Sequence, residues 1–155
     1  MQAEVQVLYK QEHPNAKAPE YQTAGAACLD LFVAAVNGDA LSGSFVLPGV
    51  PVVCDTGLSF EIPQDHVMLV FSRSGHGFKN DVRLANCVGV IDSDYRGVVK
   101  VKLTADETGS KPLFVVPGDR IGQALVIPIP RVRMVPSGTL SDTARGTGGL
   151  GSTGQ

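Results

Sequence analysis

The stretch from Gly89 to Gly97 gathers side chains that can do chemistry. It carries two carboxylates, a phenol and a guanidinium, on Asp92, Asp94, Tyr95 and Arg96. A carboxylate can act as a general base on water, and a nearby cation can offset negative charge on a substrate. Apolar residues lead into the stretch from Val82 and out of it to Leu103, so we predict the tip of a β-hairpin. Such polar groups are costly to cluster on a turn for structural reasons alone, which indicates a functional site.

Arg73 and its neighbours form a second candidate. The run Ser72-Arg73-Ser74-Gly75 follows an apolar run that ends at Phe71, so it would place a guanidinium, a hydroxyl and a backbone amide at a strand end. These groups suit phosphate oxygens, although a purely structural polar strand end would show the same residues. Arg120 and Gln123 lie near the start of a later strand and indicate little by themselves.

The C-terminal stretch has a different composition. Residues 141–155 are mostly Gly, Ser, Thr and Ala, with Arg145 as their single cation. Because they can bury little apolar surface, we predict a mobile arm over residues 137–155, following one domain over residues 1–136. Backbone amides of the glycines and the hydroxyls of Ser152 and Thr153 can surround an anion, whereas a flexible end without a task would look the same. A Walker loop is excluded because no Lys follows the glycines.

The elements that must position these groups are predicted to be short strands. The 155 residues suffice for one domain, and 18 glycines and 10 prolines leave little room for long helices. Residues 98–103 alternate, with Lys100 and Lys102 opposite the apolar positions, and residues 132–135 continue the strand pattern. Residues 26–37 fit either a helix or a strand. Many short strands without βαβ alternation predict an all-β sandwich or jelly roll.

Charge and cysteine content narrow the function classes. A net charge of -2 offers no basic field to a nucleic-acid backbone, so we expect no nucleic-acid partner. The sequence shows no leader peptide and no membrane-spanning run, so we expect a cytoplasmic protein, in the host cytoplasm if viral, without a membrane partner. The 3 cysteines are widely spaced, and we interpret them as small buried hydrophobic residues.

Five segments, in order, resemble the five motifs of the trimeric dUTPases, the deoxyuridine triphosphate nucleotidohydrolases. They are GAACLDL at 25–31, RSG at 73–75, GVIDSDYRG at 89–97, GDRIGQ at 118–123 and RGTGGLGSTG at 145–154. One glycine-rich motif alone would be a weak match. Five in this order, covering essentially the whole chain, are specific.

The resemblance implies a fold, an assembly and a reaction. Members are β jelly rolls that form homotrimers with shared active sites. They cleave dUTP to dUMP and pyrophosphate with Mg²⁺, which lowers dUTP and supplies dUMP for thymidylate synthesis. By this resemblance Asp92 is the catalytic base that activates water for attack on the α-phosphate, with Asp94 as its neighbour. Asp30 is the second catalytic carboxylate and helps to hold the hydrated metal indirectly, through water.

The resemblance also implies the substrate contacts. Uracil is bound by the hairpin residues Asn86, Gly89, Val90 and Ile91, with Lys100 on the return strand. Tyr95 packs against the deoxyribose where a 2'-hydroxyl would collide. The phosphates are contacted by Arg73, Ser74, Gly75 and Gln123. The arm that closes over the substrate contributes Arg145, Leu150, Gly151, Ser152 and Thr153.

Two positions depart from the family pattern, and two other functions compete with it. Cys28 stands where a glycine is usual, and Leu150 stands where a phenylalanine commonly covers the uracil; leucine can cover it but cannot stack. A dCTP deaminase shares the fold, but it needs an acid-base glutamate and no glutamate here falls within the five motifs. A binding or regulatory module is the alternative from another class, although such a module has no use for Asp92 as a base.

Overall fold

The computed structural model describes residues 4–106 and 111–149. Within them the chain forms short strands and a helix of 7 residues. The elements are β1 (Leu8–Gln11), β2 (Leu29–Phe32), β3 (Ala35–Val36), β4 (Ser44–Val46), β5 (Val52–Asp55), β6 (Leu58–Glu61), β7 (His66–Phe71), α1 (Ser74–Asn80), β8 (Val82–Leu84), β9 (Val88–Ile91), β10 (Lys100–Ala105), β11 (Leu113–Val115) and β12 (Arg120–Pro128). In the described part of the chain no helix has the length and apolarity that crossing a membrane requires.

Two four-stranded antiparallel sheets share one hydrophobic core. The first has the strand order β3-β5-β10-β8 and the second the order β2-β12-β7-β9, and the pairs β1-β6 and β4-β11 flank them. Buried side chains of the first sheet, such as Val52 and Leu103, belong to the same cluster as Met68 and Ile121 of the second. The predicted all-β sandwich architecture is therefore confirmed.

Strand β10 alternates as its sequence predicts. Val101 and Leu103 are buried, whereas Lys100 and Lys102 are exposed. Burying a Val or Leu side chain stabilises the fold by about 1.5–3 kcal/mol relative to leaving it exposed. A slip of one residue would expose both apolar side chains and bury both lysines, so the pattern fixes the register of β10 between β5 and β8.

Residues 26–37, which fit either a helix or a strand, form two strands. Strand β2 pairs with β12 and β3 pairs with β5, so the segment passes from one four-stranded sheet to the other. Between them, Val33 and Ala34 are fully buried, and their amides donate to Asp119 O at 2.9 Å and to Asp55 O at 2.7 Å. Partner segments from both sheets thus satisfy this backbone, which the periodicity of a single segment cannot reveal.

The prediction that residues 89–97 form the tip of a hairpin is wrong in one respect. Strands β8 and β10 do pair, with Leu84 opposite Leu103. However, the chain between them does not turn back directly, because residues 88–91 form β9 and place Val90 opposite Leu69 on β7 of the other sheet. The edge of β7 supplies the backbone partners of β9, and the turn over residues 92–97 then leads back to β10.

Two other sequence-based expectations fail. Residues 132–135 form no strand within the described chain, where no neighbouring segment pairs with them, and Val132 and Met134 are 76% and 85% exposed. Cys54 is buried as expected, but Cys28 is half-buried and Cys87 is exposed. Cys87 occupies the turn between β8 and β9 with a φ of 62°, so turn geometry rather than hydrophobicity decides its position. The boundary between domain and arm at residue 136 stays a prediction.

Candidate active site

Asp30 is the centre of a charged cluster. One carboxylate oxygen accepts a hydrogen bond from Arg120 Nη1 at 3.1 Å, and the other lies 3.8 Å from Arg73 Nε. The Asp30 side chain is only 11% exposed. A carboxylate so far removed from water is stabilised by the positive charges beside it. The two arginines are in turn held close together by the anion between them.

The pairing of β12 brings three of the predicted segments to one place. Gln123 lies opposite Asp30 on β2 and opposite Phe71 on β7. Phe71 ends β7, so Ser72 and Arg73 follow directly, and the Gln123 amide donates to Ser72 O at 3.0 Å. The segments 25–31, 73–75 and 118–123 therefore meet at one end of the sheet, although they are far apart in sequence.

Arg73 makes two further contacts through Nη1. This nitrogen donates to the backbone oxygen of Arg120 at 3.1 Å and lies 3.3 Å from His76 Nε2. His76 belongs to α1 and follows Arg73 by three residues, a spacing that brings side chains together at a helical turn. The sequence alone predicted no role for this histidine. The spacing from Arg73 was the signal that could have found it.

The surroundings of the His76 ring favour its neutral form. Burial lowers its pKa below the ordinary value of 6.5, and the positive charge of Arg73 lowers this pKa further. Arginine is always a donor, so His76 Nε2 must be the acceptor and the ring proton must lie on Nδ1. His76 Nδ1 is buried and has no hydrogen-bond partner within residues 4–106 and 111–149.

Ser74 and Gly75 lie beside this cluster on the surface. Both are exposed, and a Cβ placed on Gly75 would meet nothing within 4 Å. The preceding Ser72 is tied to β8, because its hydroxyl accepts from the amide of Leu84 at 2.9 Å. An anionic ligand can therefore approach the Ser74 hydroxyl and the adjacent backbone from solvent.

A cavity of about 430 Å³ lies between β9 and β10. Its lining includes the residues that the family resemblance assigned to uracil and to the return strand, Asn86, Gly89, Val90, Ile91 and Lys100. Val70, Leu84 and Val101 add apolar side chains to the lining. Strand β9 is the last strand of its sheet, so its outer backbone groups have no strand partner in the described chain.

Two contacts show how tightly the strands around this cavity pack and where its charged group lies. A Cβ added to Gly89 would lie 3.2 Å from the Cβ of Val70, so glycine allows β9 to pack tightly against β7. Lys100 Nζ lies 3.5 Å from an Asp55 carboxylate oxygen, and the lysine side chain is 58% exposed. The cation therefore stands at the solvent side of the cavity.

Asp92 faces a different space. It is exposed and, with Asp94 and Arg96, lines a larger cleft of about 710 Å³ that also includes Arg131. The neighbouring Ile91 lines the smaller cavity. Consecutive residues at the end of β9 thus serve two adjoining spaces. Asp92 is adjacent in sequence to the residues that the resemblance assigns to uracil, but it does not line the cavity between β9 and β10.

Tyr95 is held over its own turn. Its amide donates to Asp92 O at 3.2 Å, and its hydroxyl donates to Val98 O at 3.3 Å. The phenol lies against Gly97, where any Cβ would overlap the ring. Glycine at this position is therefore required for the observed position of Tyr95, which is 45% exposed.

Arg145 lies apart from the other candidates. Its Nε donates to Gly148 O at 2.8 Å within a local turn. Among the described residues, no hydrogen bond or ion pair joins it to Asp30, Arg73 or Asp92. Leu150, Gly151, Ser152 and Thr153, which the resemblance assigns to the arm, lie outside the described residues.

The carboxylates of the described residues fit a metal ion that arrives bound to phosphate rather than one held by a protein cage. The described residues contain no group of three His, Cys, Asp or Glu side chains that could hold a metal ion. Mg²⁺ readily keeps its waters and binds phosphate oxygens. Asp30, which lies 3.8 Å from Arg73 Nε, is the carboxylate that the family resemblance assigns to such a hydrated ion.

Comparison with known proteins gives a consistent family match. The dUTPase family model matches residues 14–154. The deoxyuridine 5'-triphosphate nucleotidohydrolase of Rhizobium rhizogenes (strain K84) is 42% identical over 136 residues, which cover 88% of this chain and 84% of the relative. The enzyme of the same name from Methylocella silvestris is 43% identical over 136 residues, covering 88% and 82% of the two chains.

Solved structures share the fold at lower sequence identity. The dUTPase of Staphylococcus bacteriophage 80alpha, with dUPNHPP, superimposes with a TM-score of 0.82 and 22% identity, covering 97% of this chain and 99% of that one. A mutant dUTPase of phage phi11 of S. aureus, described as revealing the coordination of a structural Mg(II) ion, has a TM-score of 0.68 and 21% identity, covering 86% and 98%.

Proposed function

The chain belongs to the dUTPase family, and we propose how its residues hydrolyse dUTP to dUMP and pyrophosphate. The observation that carries the assignment of the site is the cavity between β9 and β10, because its lining joins Asn86, the edge strand β9 and apolar side chains in one small space. The substrate is a nucleotide of the cell interior, so the proposal places the protein in the cytoplasm.

The cavity supports recognition of uracil by backbone groups. Since β9 is an edge strand, the outer amides and carbonyls of Gly89 and Ile91 are available to the base edge, much as they would be to another strand. The Asn86 amide offers both donors and an acceptor. Val70 and Leu84 cover the faces of the ring. This arrangement favours uracil over cytosine, because cytosine presents a donor amino group where uracil presents the O4 acceptor, and an acceptor N3 where uracil presents the N3–H donor.

The sugar and the phosphates are assigned to the two remaining groups of residues. Tyr95 packs against the deoxyribose, so a 2'-hydroxyl meets its ring. Arg73, with the hydroxyl of Ser74 and the open backbone at Gly75, binds phosphate oxygens, while Gln123 holds the chain at Ser72. Asp30 keeps Arg73 and Arg120 from repelling each other while both remain available to an anion.

Asp92 acts as the general base. Its carboxylate takes a proton from a water molecule, the water oxygen forms a bond to the α-phosphorus, and the bond from that phosphorus to the bridging oxygen of the β-phosphate breaks. Pyrophosphate leaves with the bonding electrons, and dUMP retains the new oxygen. The exposure of Asp92 beside a wide cleft supports this role, because water reaches the carboxylate freely.

A bound Mg²⁺ would offset negative charge on the triphosphate, with Asp30 as the residue that holds its water shell. Arg73 contributes a second positive charge to the same oxygens. The described residues place Asp30 next to Arg73, and this adjacency supports the assignment.

We further propose that the active unit is a homotrimer in which the arm over residues 137–155 closes on the site. Two features support this assembly. The groups assigned to base, phosphate and arm do not all meet within one described chain, since Arg145 contacts only its own turn there. Residues 130–149 also run without a strand and expose Val132, Met134 and Leu140, which a neighbouring subunit would cover.

The proposal is tested by measuring pyrophosphate release from dUTP and from the four standard deoxynucleoside triphosphates, with and without Mg²⁺. We expect release from dUTP in the presence of Mg²⁺ and at least about a hundredfold less from dCTP and dTTP. Assaying ammonia in the same reactions tests deamination of dCTP. Ammonia without pyrophosphate, or no turnover of any nucleotide, would contradict the proposed function. Sedimentation of the full chain checks the trimer.

A further inference from the structure

Arg73 depends on its neighbours for the direction of its guanidinium. Asp30 lies 3.8 Å from Nε, and the backbone oxygen of Arg120 lies 3.1 Å from Nη1. The third neighbour is the ring of His76, whose Nε2 is 3.3 Å from Nη1. The two acceptors on Nη1 are uncharged, so they orient the guanidinium while leaving its positive charge for an anion.

The surroundings of His76 disfavour a charged ring. The charged groups that face it from the neighbouring segments are Arg73 before α1, Asp119 and Arg120 at the start of β12, and Asp30 on β2. Strand β8, which packs against α1, contributes Arg83, but this side chain is paired with Asp106 at 3.1 Å. A proton on His76 Nε2 would set two donors against each other, because Arg73 has no acceptor.

We propose that neutral His76 is a positioning residue, which accepts a hydrogen bond from Arg73 and so aims the guanidinium at the triphosphate. The inference rests on the proposed function and adds a regulatory property to the same site. When the ring takes up a proton, Arg73 loses this acceptor and gains a repelling neighbour. Acid conditions therefore weaken phosphate binding without any change in the base-binding cavity.

The pH range follows from the direction of the shift. The pKa of His76 in the folded protein lies below its ordinary value of 6.5, because burial and Arg73 oppose protonation. The hydrogen bond and the stability it contributes are thus present above pH 6.5. Both are lost as the pH falls through the lower pKa of the folded protein.

Two substitutions separate the effect of the hydrogen-bond acceptor at position 76 from the effect of protonating the His76 ring. In His76→Gln the amide oxygen can accept from Arg73 at every pH, whereas His76→Leu removes the acceptor. We would measure kcat and KM for dUTP between pH 5 and pH 8.5 at saturating Mg²⁺, with the full chain. The terminal phosphate of the nucleotide titrates in the same range, and comparing variants on one substrate cancels that contribution.

The unmodified chain should show a KM that rises on the acid side by about threefold to tenfold more than the KM of His76→Gln. His76→Leu should have a raised KM throughout, with little change in kcat. A second readout needs no nucleotide and no variant. NMR of the chain with ¹⁵N-labelled histidine should show the His76 proton on Nδ1 at pH 7.5 and a titration below pH 6.5.

Two results would overturn the inference: equal acid-side rises of KM in the unmodified chain and in His76→Gln, or a proton on Nε2 at pH 7.5. Failure of the unmodified chain to hydrolyse dUTP at any pH would instead contradict the proposed function. The NMR measurement keeps the two failures distinct, because it reports on His76 whether or not dUTP is turned over.

Discussion

Replacing Asp30 by Asn removes the anion that separates Arg73 from Arg120 while keeping the shape of the side chain. The carboxylate is 11% exposed and accepts from Arg120 at 3.1 Å. Removing one partner of a fully buried ion pair costs about 3–5 kcal/mol. Here the Arg73 and Arg120 side chains are 24% and 40% exposed, so solvent screens part of their repulsion. We therefore expect a loss of about 1–2 kcal/mol in the free energy of unfolding.

Thermal unfolding measures this loss directly. For a chain of this size about 1 kcal/mol corresponds to roughly 2–4 °C, so Asp30→Asn should lower Tm by roughly 2–8 °C. Protein concentration must be held equal, because Tm of an oligomer depends on it. The same variant should raise KM for dUTP about fivefold, since Arg73 loses a contact that orients it.

Asp106→Asn is the matched control. Asp106 pairs with Arg83 at 3.1 Å, the same separation, but the two side chains are 53% and 44% exposed. Solvent screens an exposed pair of this kind, so this variant should shift Tm by clearly less than Asp30→Asn does and leave KM unchanged. Equal shifts of Tm in the two variants would refute the claim that burial makes the Asp30 cluster a structural and functional centre.

Three further outcomes are expected. Gly97→Ala should displace Tyr95 and raise the ratio of UTP to dUTP turnover about tenfold, read from kcat/KM, and an unchanged ratio would argue against Tyr95 as the sugar-selecting residue. Burial raises the pKa of the Cys54 thiol to about 12, so the unfolded chain loses this proton at a lower pH than the folded chain does. The free energy of unfolding should therefore fall by about 1 kcal/mol per pH unit above pH 9. Urea titrations should show a smaller slope for Cys54→Ala. Leu150→Phe should lower KM for dUTP by providing an aromatic ring to stack on uracil; unchanged kinetics would show that leucine covers the base equally well.

The predictable parts of the fold were those that depend on local pattern. The alternation of apolar and charged residues in β10 predicted which of its faces is buried, and the glycine and proline content excluded long helices. The course of β9 was not predictable in this way, because its partner β7 lies in the other sheet and is chosen by tertiary packing. Residues 26–37 stayed undecided for the same reason, since their backbone partners come from both sheets.

The site shows a similar division. Residue types and the order of the five segments indicated Asp30, Arg73 and Gln123, and the pairing of β12 with β2 and β7 brings these three together. His76 was missed, because a histidine gains a role here only through the distance between Nε2 and Arg73 Nη1. The larger cleft beside Asp92 also has no local signal, since it forms between segments that are distant in sequence.

Comparing Asp92→Asn with Asp94→Asn tests most directly whether Asp92 is the general base. Turnover of dUTP would be followed by pyrophosphate release, and binding of a non-hydrolysable dUTP analogue by calorimetry. With Asp92 as the base, Asp92→Asn should bind the analogue within about threefold of the unmodified chain and lose a factor of about 10²–10⁴ in kcat, while the neighbouring Asp94→Asn stays close to normal. Near-normal turnover by Asp92→Asn would contradict the assignment of Asp92 as the general base.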